Sequence, residues 1–329
     1  MTAFIGIDVS KHKLDSAWLR DVETGKVKTK VLPNTANGHA ELMRWLEKHT
    51  GQALAACHVV LEATGIYHEA IAHALHDAGA TVSVVNPARI RDFAKALGVR
   101  GKTDAKDSVV LARYGATQHP PAWVPEPAAV RELKARLARL EALDGDIQRE
   151  SNRREKSEVT GNAEILESID TVLGTLRAER ARLARDIDDH IDGHPELAQD
   201  PDLLESIPGI GAKVSQRLMA TLHSRVFDSA RQAAAFAGLV PVPYESGTSV
   251  RARPRLSKAG APTLRRQLYM AAVVSVRHNP DIAAQYQRLL ARGKSKMSAL
   301  GAAMRKLVHI AYGVLKHQQP YRQQIAAEG

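Results

Sequence analysis

The stretch AFIGIDV, residues 3–9, decides the fold: it is apolar, too short for a stable helix, and interrupted by a single acid, Asp8. HVVLE at 58–62 and TVSVV at 81–85 repeat the β-branched pattern, and the first of these also ends in an acid, Glu62. Between them GHAELMRWLEKHT (38–50) and YHEAIAHALHDAG (67–79) carry helical spacing, the second closed by Gly79 as a C-cap. Strand, helix, strand, helix predicts an α/β sheet in which these strands are buried.

The composition changes at HPPAWVPEP, residues 119–127, whose four prolines cannot continue a helix and mark a linker, with a boundary near 120. Beyond it Val130, Leu133, Leu137 and Leu140 keep spacings of three and four, as do Ile165, Ile169, Val172 and Leu176, then Leu183, Ile187 and Ile191. An antiparallel helical pair or a coiled coil is expected, connected through a polar break, REKSEVTGNAE, at 154–164 and closed by GHPELAQDPD at 193–202. Three parts result: 1–120, 121–200 and 201–329.

Lysine and arginine number 46 against 36 aspartates and glutamates, a formal charge of +10 that favours polyanionic partners such as nucleic acid over neutral ones. An acidic membrane surface is the rival, but no apolar run approaches the roughly 20 residues that span a bilayer. The N-terminus lacks the order of a signal peptide, so a cytoplasmic protein is expected. Cys57 is the single cysteine, which excludes an intrachain disulfide and a cysteine-built zinc site, and reads as a core residue. The histidines are scattered, with no His-Glu-x-x-His arrangement, and are read as helix-surface residues.

Acids carry the chemistry. Asp104 and Asp107 in GKTDAKDSVVLARY (101–114) share one helical face, and Asp8 and Glu62 close apolar strands, where an unpaired buried acid costs stability. Strand ends and a covering helix can converge in an α/β sheet, and carboxylates gathered there suit divalent cations on a phosphate substrate, with Arg100 and Lys102 facing its phosphates. Asp104 and Asp107 are explained equally by a helix N-terminus, which favours acids without any metal.

The third part is basic. LLESIPGIGAKVSQRLMATL (203–222) has the form of a helix, a hairpin and a helix, in which Gly209 and Gly211 free backbone N–H groups, and Lys213 adds a charge, for a phosphate. Arg251, Arg253, Arg255, Lys258, Arg265 and Arg266 then crowd a loop and the following helix. Among them YESGTS places Ser246 on a glycine-containing turn, from which a hydroxyl can project; a polar surface turn is the simpler account of that residue alone. Arginines beside a serine suit phosphoryl rather than acyl transfer.

GIDVSK, LEATG, KTDAKD, SIPGIG, FAGLVP, YESGTS and SKAG in this order resemble the DEDD transposases of the insertion sequence 110 group, over residues 4–321. The resemblance implies a ribonuclease-H-like, Holliday-junction-resolvase-like α/β catalytic domain, a helical coiled-coil middle, and a mainly α C-terminal transposase domain with a helix-hairpin-helix element. It further implies that Asp8, Glu62, Asp104 and Asp107 coordinate Mg²⁺ and that Ser246 forms a phosphoserine link to DNA. Thr248 and Ser249 stand where the family carries serines. By the same resemblance the partners are donor and target double-stranded DNA and an element-encoded guide (bridge) RNA. The protein would be a homo-oligomer, dimer or tetramer, with the acids of one protomer meeting the serine of another.

The expectation is therefore an RNA-guided recombinase that excises and inserts an insertion sequence through a covalent phosphoserine intermediate. A ribonuclease-H-type junction endonuclease, in which water attacks and Ser246 is an ordinary loop residue, is the alternative. A non-enzymatic DNA-packaging protein would bind with salt sensitivity and cut nothing. The sugar-kinase and actin fold begins similarly, but VSKHK replaces the glycine-rich loop it needs after Asp8.

Overall fold

The computed structural model describes residues 2–63, 65–98, 104–246 and 250–323, with side chains except those of 104–106, 243–246 and 250–254. The chain forms two compact units, 1–125 and 126–329.

The first unit runs β1 (Ala3–Val9), β2 (Lys13–Leu19), β3 (Val27–Pro33), α1 (Ala36–Thr50), β4 (Cys57–Glu62), α2 (Glu69–Asp77), β5 (Thr81–Val85), α3 (Pro87–Ala96) and α4 (Asp104–Gln118). The sheet order is β3-β2-β1-β4-β5. β1, β2 and β3 pair antiparallel, whereas β1, β4 and β5 are parallel, so the sheet is mixed. β2 and β3 were not anticipated: KLDSAWL and VKTKVLP are short and partly charged, and their pairing with β1 supplies the order that local sequence lacks.

Alternation along the strands divides the core in two. Ile5, Ile7, Val59 and Leu61 point to one face, where they pack with Leu42 and Leu46 of α1 and Ile71 and Leu75 of α2. Cys57 joins this core at 1% exposure, and burial pushes its thiol up, which suits packing and not nucleophilic chemistry. Val60 points to the other face, where it meets Ile90 of α3 and Val110 and Leu111 of α4. α2 ends at Asp77 with Ala78 as its C-cap, one residue before the expected Gly79, which follows with φ of +88°.

The second unit runs α5 (Ala128–Thr160), α6 (Ala163–Asp192), α7 (Asp200–Glu205), α8 (Ala212–Leu222), α9 (Ala230–Phe236), β6 (Pro241–Ser246), β7 (Val250–Leu256), α10 (Pro262–His278), α11 (Pro280–Ala291) and α12 (Lys296–His317). α5 and α6 form the expected antiparallel pair, and Leu133, Leu137, Leu140 and Leu143 share one core with Leu183, Ile187, Leu218, Leu268 and Leu307.

Two local expectations are corrected. The break between the paired helices is not 154–164: α5 continues to Thr160 and turns at Gly161, φ +71°, because nothing before that glycine stops a helix. Within the supposed break, Arg154 donates from Nε to Asp170 Oδ1 at 2.6 Å and pairs with Glu158 one turn on. Likewise 250–256 is not loop but β7, paired antiparallel with β6. Arg251, Arg253 and Arg255 therefore stand at every second position of a strand, and Arg265 and Arg266 lie near the start of the following helix.

Candidate active site and nucleic-acid interface

Gly6 fixes where α4 lies. A Cβ added there would stand 2.0 Å from the Ser108 carbonyl oxygen and 2.4 Å from the Ala112 nitrogen, so helix backbone rests directly on β1. Gly115 repeats the contact one strand over, where its Cβ would meet Val60 at 2.8 Å and Phe4 at 3.5 Å. Thus residue 115 overlies residue 4 and residue 108 overlies residue 6: α4 runs opposite to β1, with its N-terminal end toward Asp8.

The acids follow from this frame. Asp8 shares the α4 face with Gly6, two positions back, and Glu62 shares it with Val60. Ile7 and Leu61 are the last paired positions of the parallel ladder, so Asp8 and Glu62 leave adjacent strands side by side. Asp107 lies one residue before Ser108, and Asp104 opens α4 one turn earlier; the Asp104 side chain is outside the described ones. Two strand ends and one helix end thus direct acids to one edge of the sheet. Among the described residues no three His, Cys, Asp or Glu side chains stand close enough together to hold a metal ion.

A fifth acid escaped the sequence reading. Asp15 of β2 sits directly opposite Asp8, on the same face, at 6% exposure, with Lys13 Nζ 3.0 Å from its Oδ2. The alternation in KLDSAWL was the available signal, but register across a hairpin was needed to use it.

Ser246 ends β6, and its side chain, like those of Arg251 and Arg253 on β7, is outside the described ones. Arg100 and Lys102 lie outside the described residues, as do Thr248 and Ser249. Arg255 and Lys258 are exposed, Lys258 with φ of +56°. Arg265 turns back to donate to the Gly260 carbonyl.

The two hairpin glycines differ. Gly209 has φ of +100°, and a Cβ there would stand 2.0 Å from Ser275 Oγ of α10; close packing accounts for this glycine. Ser275 Oγ donates to the Pro208 carbonyl at 3.0 Å and clamps the turn. Gly211 precedes α8 with open space at its Cβ position and no side-chain cap, and its carbonyl accepts from the Val214 N–H at 2.9 Å.

Lys213 and Arg266 are engaged. Glu141 of α5 accepts from Arg266 at 2.8 Å, from Arg217 at 3.3 Å and from the Thr263 hydroxyl at 2.8 Å. Asp144, one turn on, accepts from Arg180 Nε at 2.7 Å and Lys213 Nζ at 3.4 Å. Burial raises the Asp144 carboxyl, but the Arg180 hydrogen bond and the Lys213 charge outweigh it and hold the group below its ordinary value.

Comparison with known proteins supplies the class. The family described as transposase IS116/IS110/IS902 matches residues 201–287, and a transposase model of the DEDD type of IS110 matches 5–157. The pilin gene-inverting protein of Moraxella bovis is 32% identical over 324 residues, covering 98% of each chain. The probable family 20 transposase of Pseudomonas aeruginosa is 27% identical over 304 residues, 82% of this chain and 87% of that one. Among solved structures, T. thermophilus RuvC in complex with Holliday junction substrate matches 36% of this chain and 95% of its own at 13% identity, with a TM-score of 0.27.

These matches define an enzyme of DNA recombination, with DNA as its substrate. More narrowly, the chain belongs to the IS116/IS110/IS902 family of transposases. Among the described residues no helix is long and apolar enough to cross a membrane.

Proposed function

We propose that the protein cuts, exchanges and rejoins DNA strands of an insertion sequence, with Asp8, Glu62, Asp104 and Asp107 as the metal-holding acids and Ser246 as nucleophile. The single observation that supports this most is the sheet frame: Asp8 and Glu62 leave adjacent parallel strands on the face that α4 covers, with the Asp107 end of the helix toward them. The ribonuclease-H-like reading of the first unit is supported by its mixed five-stranded sheet.

The donor set fits a hard divalent cation, Mg²⁺, since every candidate ligand is a carboxylate oxygen. Bound there, such an ion would neutralise charge developing on a reacting phosphate. Asp8 and Glu62 would hold it from rigid strand ends, and Asp104 and Asp107 from α4, whose position on Gly6 keeps the helix from drifting. Asp15 would keep Lys13 beside this group of negative charges.

Ser246 would act on the scissile phosphate. Its Oγ bonds to phosphorus as one P–O bond of the strand breaks, and the serine proton passes to the departing deoxyribose oxygen, which leaves as a hydroxyl. Rejoining is the reverse step with the hydroxyl of another strand, so no outside energy source is required. Arg251 of β7 stands opposite Glu245 and Val250 opposite Ser246, so Arg251, Arg253 and Arg255 would serve the nucleic-acid backbone along this hairpin rather than the reacting phosphate itself.

Arg100, Lys102, Gly211, Lys213, Lys258, Arg265 and Arg266 would hold nucleic-acid backbones, Gly209 shaping the turn beside them. Donor and target duplexes and an element-encoded guide RNA are the proposed partners, in a homo-oligomer. The test incubates the protein, co-expressed with the DNA flanking its gene, with labelled donor and target duplexes and Mg²⁺, then seeks protein-linked DNA on denaturing gels. A linked band that is lost in both Ser246→Ala and Asp8→Ala is the expected result. Free nicks persisting in Ser246→Ala would establish the junction endonuclease, in which water attacks.

A further inference from the structure

Between α5, α8 and α10 the second unit encloses a cleft of about 650 Å³ lined by Glu141, Asp144, Lys213, Gln216, Arg217 and Arg266. Its charges do not balance. In the lining two carboxylates, Glu141 and Asp144, face three cations, Lys213, Arg217 and Arg266; behind it Arg180 donates to Asp144, and Asp188 accepts from Gln216 at 3.0 Å. One positive charge is left over, and it is shared between exposed Lys213 and Arg266 and the more buried Arg217.

Arg217 is the unusual member. Its side chain is only 17% exposed, yet it reaches a single carboxylate, and its buried Nε has no hydrogen-bond partner among the described residues. Burial pulls its guanidinium below the ordinary value, Glu141 opposes this, and Arg266 adds like-charge repulsion. A planar guanidinium so placed has donors to spare for a second anion.

The two acids are three residues apart on one face of α5, and each holds a cation pair as phosphate oxygens would. We infer that this cleft is a phosphodiester-binding site in which Glu141 and Asp144 occupy the cations until a nucleic-acid phosphate displaces them. The inference rests on the proposed role of this surface in holding nucleic acid, and adds Arg217 to it as a ligand and the α5 acids as its regulators. Non-specific binding is thereby suppressed: a phosphate must outcompete two tethered carboxylates, which a strand held by further contacts elsewhere can do and a stray one cannot.

The test measures binding of a labelled DNA duplex, and of a single-stranded RNA of matched length, across a salt series for the full chain and for Glu141→Gln and Asp144→Asn. Asp144→Asn alters only partly exposed pairs, so it serves as the variant that folds if Glu141→Gln does not. Each variant is expected to bind one of the two probes about tenfold more tightly at low salt, with the log–log salt slope steeper by about one unit per freed cation. The DNA and RNA arms identify which nucleic acid supplies the phosphate. Unchanged or weaker binding in both variants overturns the inference. If Lys213→Ala and Arg266→Ala still weaken binding in that case, the surface holds nucleic acid without the acid clamp; if they too change nothing, the proposed nucleic-acid surface falls with it.

Discussion

Gly6 of β1 and Ser108 of α4 meet backbone to backbone: the position a Cβ would take on Gly6 is 2.0 Å from the Ser108 carbonyl oxygen. No side chain separates strand from helix at this point. The approach lowers the N-terminal end of α4 toward the end of β1, and so brings Asp107 to the Asp8 side of the sheet.

Gly6→Ala has no cheap escape, because the nearest atoms are backbone and not the end of a flexible side chain. We expect a loss of roughly 3 kcal/mol or more of stability, measured by urea unfolding, from overpacking that forces α4 off the sheet. Strand cleavage should fall further than the folded fraction does.

Asp107→Asn and Asp8→Asn should abolish Mg²⁺-dependent strand cleavage by at least about 100-fold while far-ultraviolet circular dichroism stays unchanged. Chelation of the divalent ion in the parent protein should match the variants. Retention of cleavage in Asp107→Asn would reduce that residue to a helix-end acid.

Gly209 and Gly211 should separate under the same substitution. Gly209→Ala meets both a positive φ and Ser275 Oγ, and should cost roughly 2–4 kcal/mol in chemical unfolding. Gly211→Ala meets open space and should cost under about 1 kcal/mol, the price of a poorer N-cap.

His58 gives the first unit a pH dependence. Its Nε2 is 2.8 Å from the Ser83 hydroxyl, and burial, with a smaller contribution from His119, holds the imidazole below its ordinary value. The folded state therefore binds fewer protons than the unfolded chain once pH falls below about 6.5, the ordinary histidine value, so stability is full above that pH and declines below it. Buried His39 acts in the same direction. His58→Gln should flatten the decline of unfolding free energy between neutral and mildly acid pH; an unchanged slope would assign the decline to other groups.

Much of this was legible in order alone. AFIGIDV, HVVLE and TVSVV became β1, β4 and β5 because short β-branched apolar runs have few ways to be buried other than in a sheet. The stripes at Val130–Leu140 and Leu183–Ile191 became α5 and α6 for the analogous helical reason. β2 and β3 were not legible, since KLDSAWL and VKTKVLP gain order only from β1, nor was the strand that ends at Ser246, which is held by β7.

Chain order was sufficient for the family and for the β1, β4, β5, α5 and α6 elements, because periodicity and motif spacing are local properties. It could not say that Asp15 faces Asp8, that Gly209 serves α10, or that Lys213, Arg217 and Arg266 are held by Glu141 and Asp144. Those relations join residues up to 125 positions apart. They depend on strand register, on which helix backbone fits against which glycine, and on which charges share a cleft, and such pairings exist only once the chain has packed.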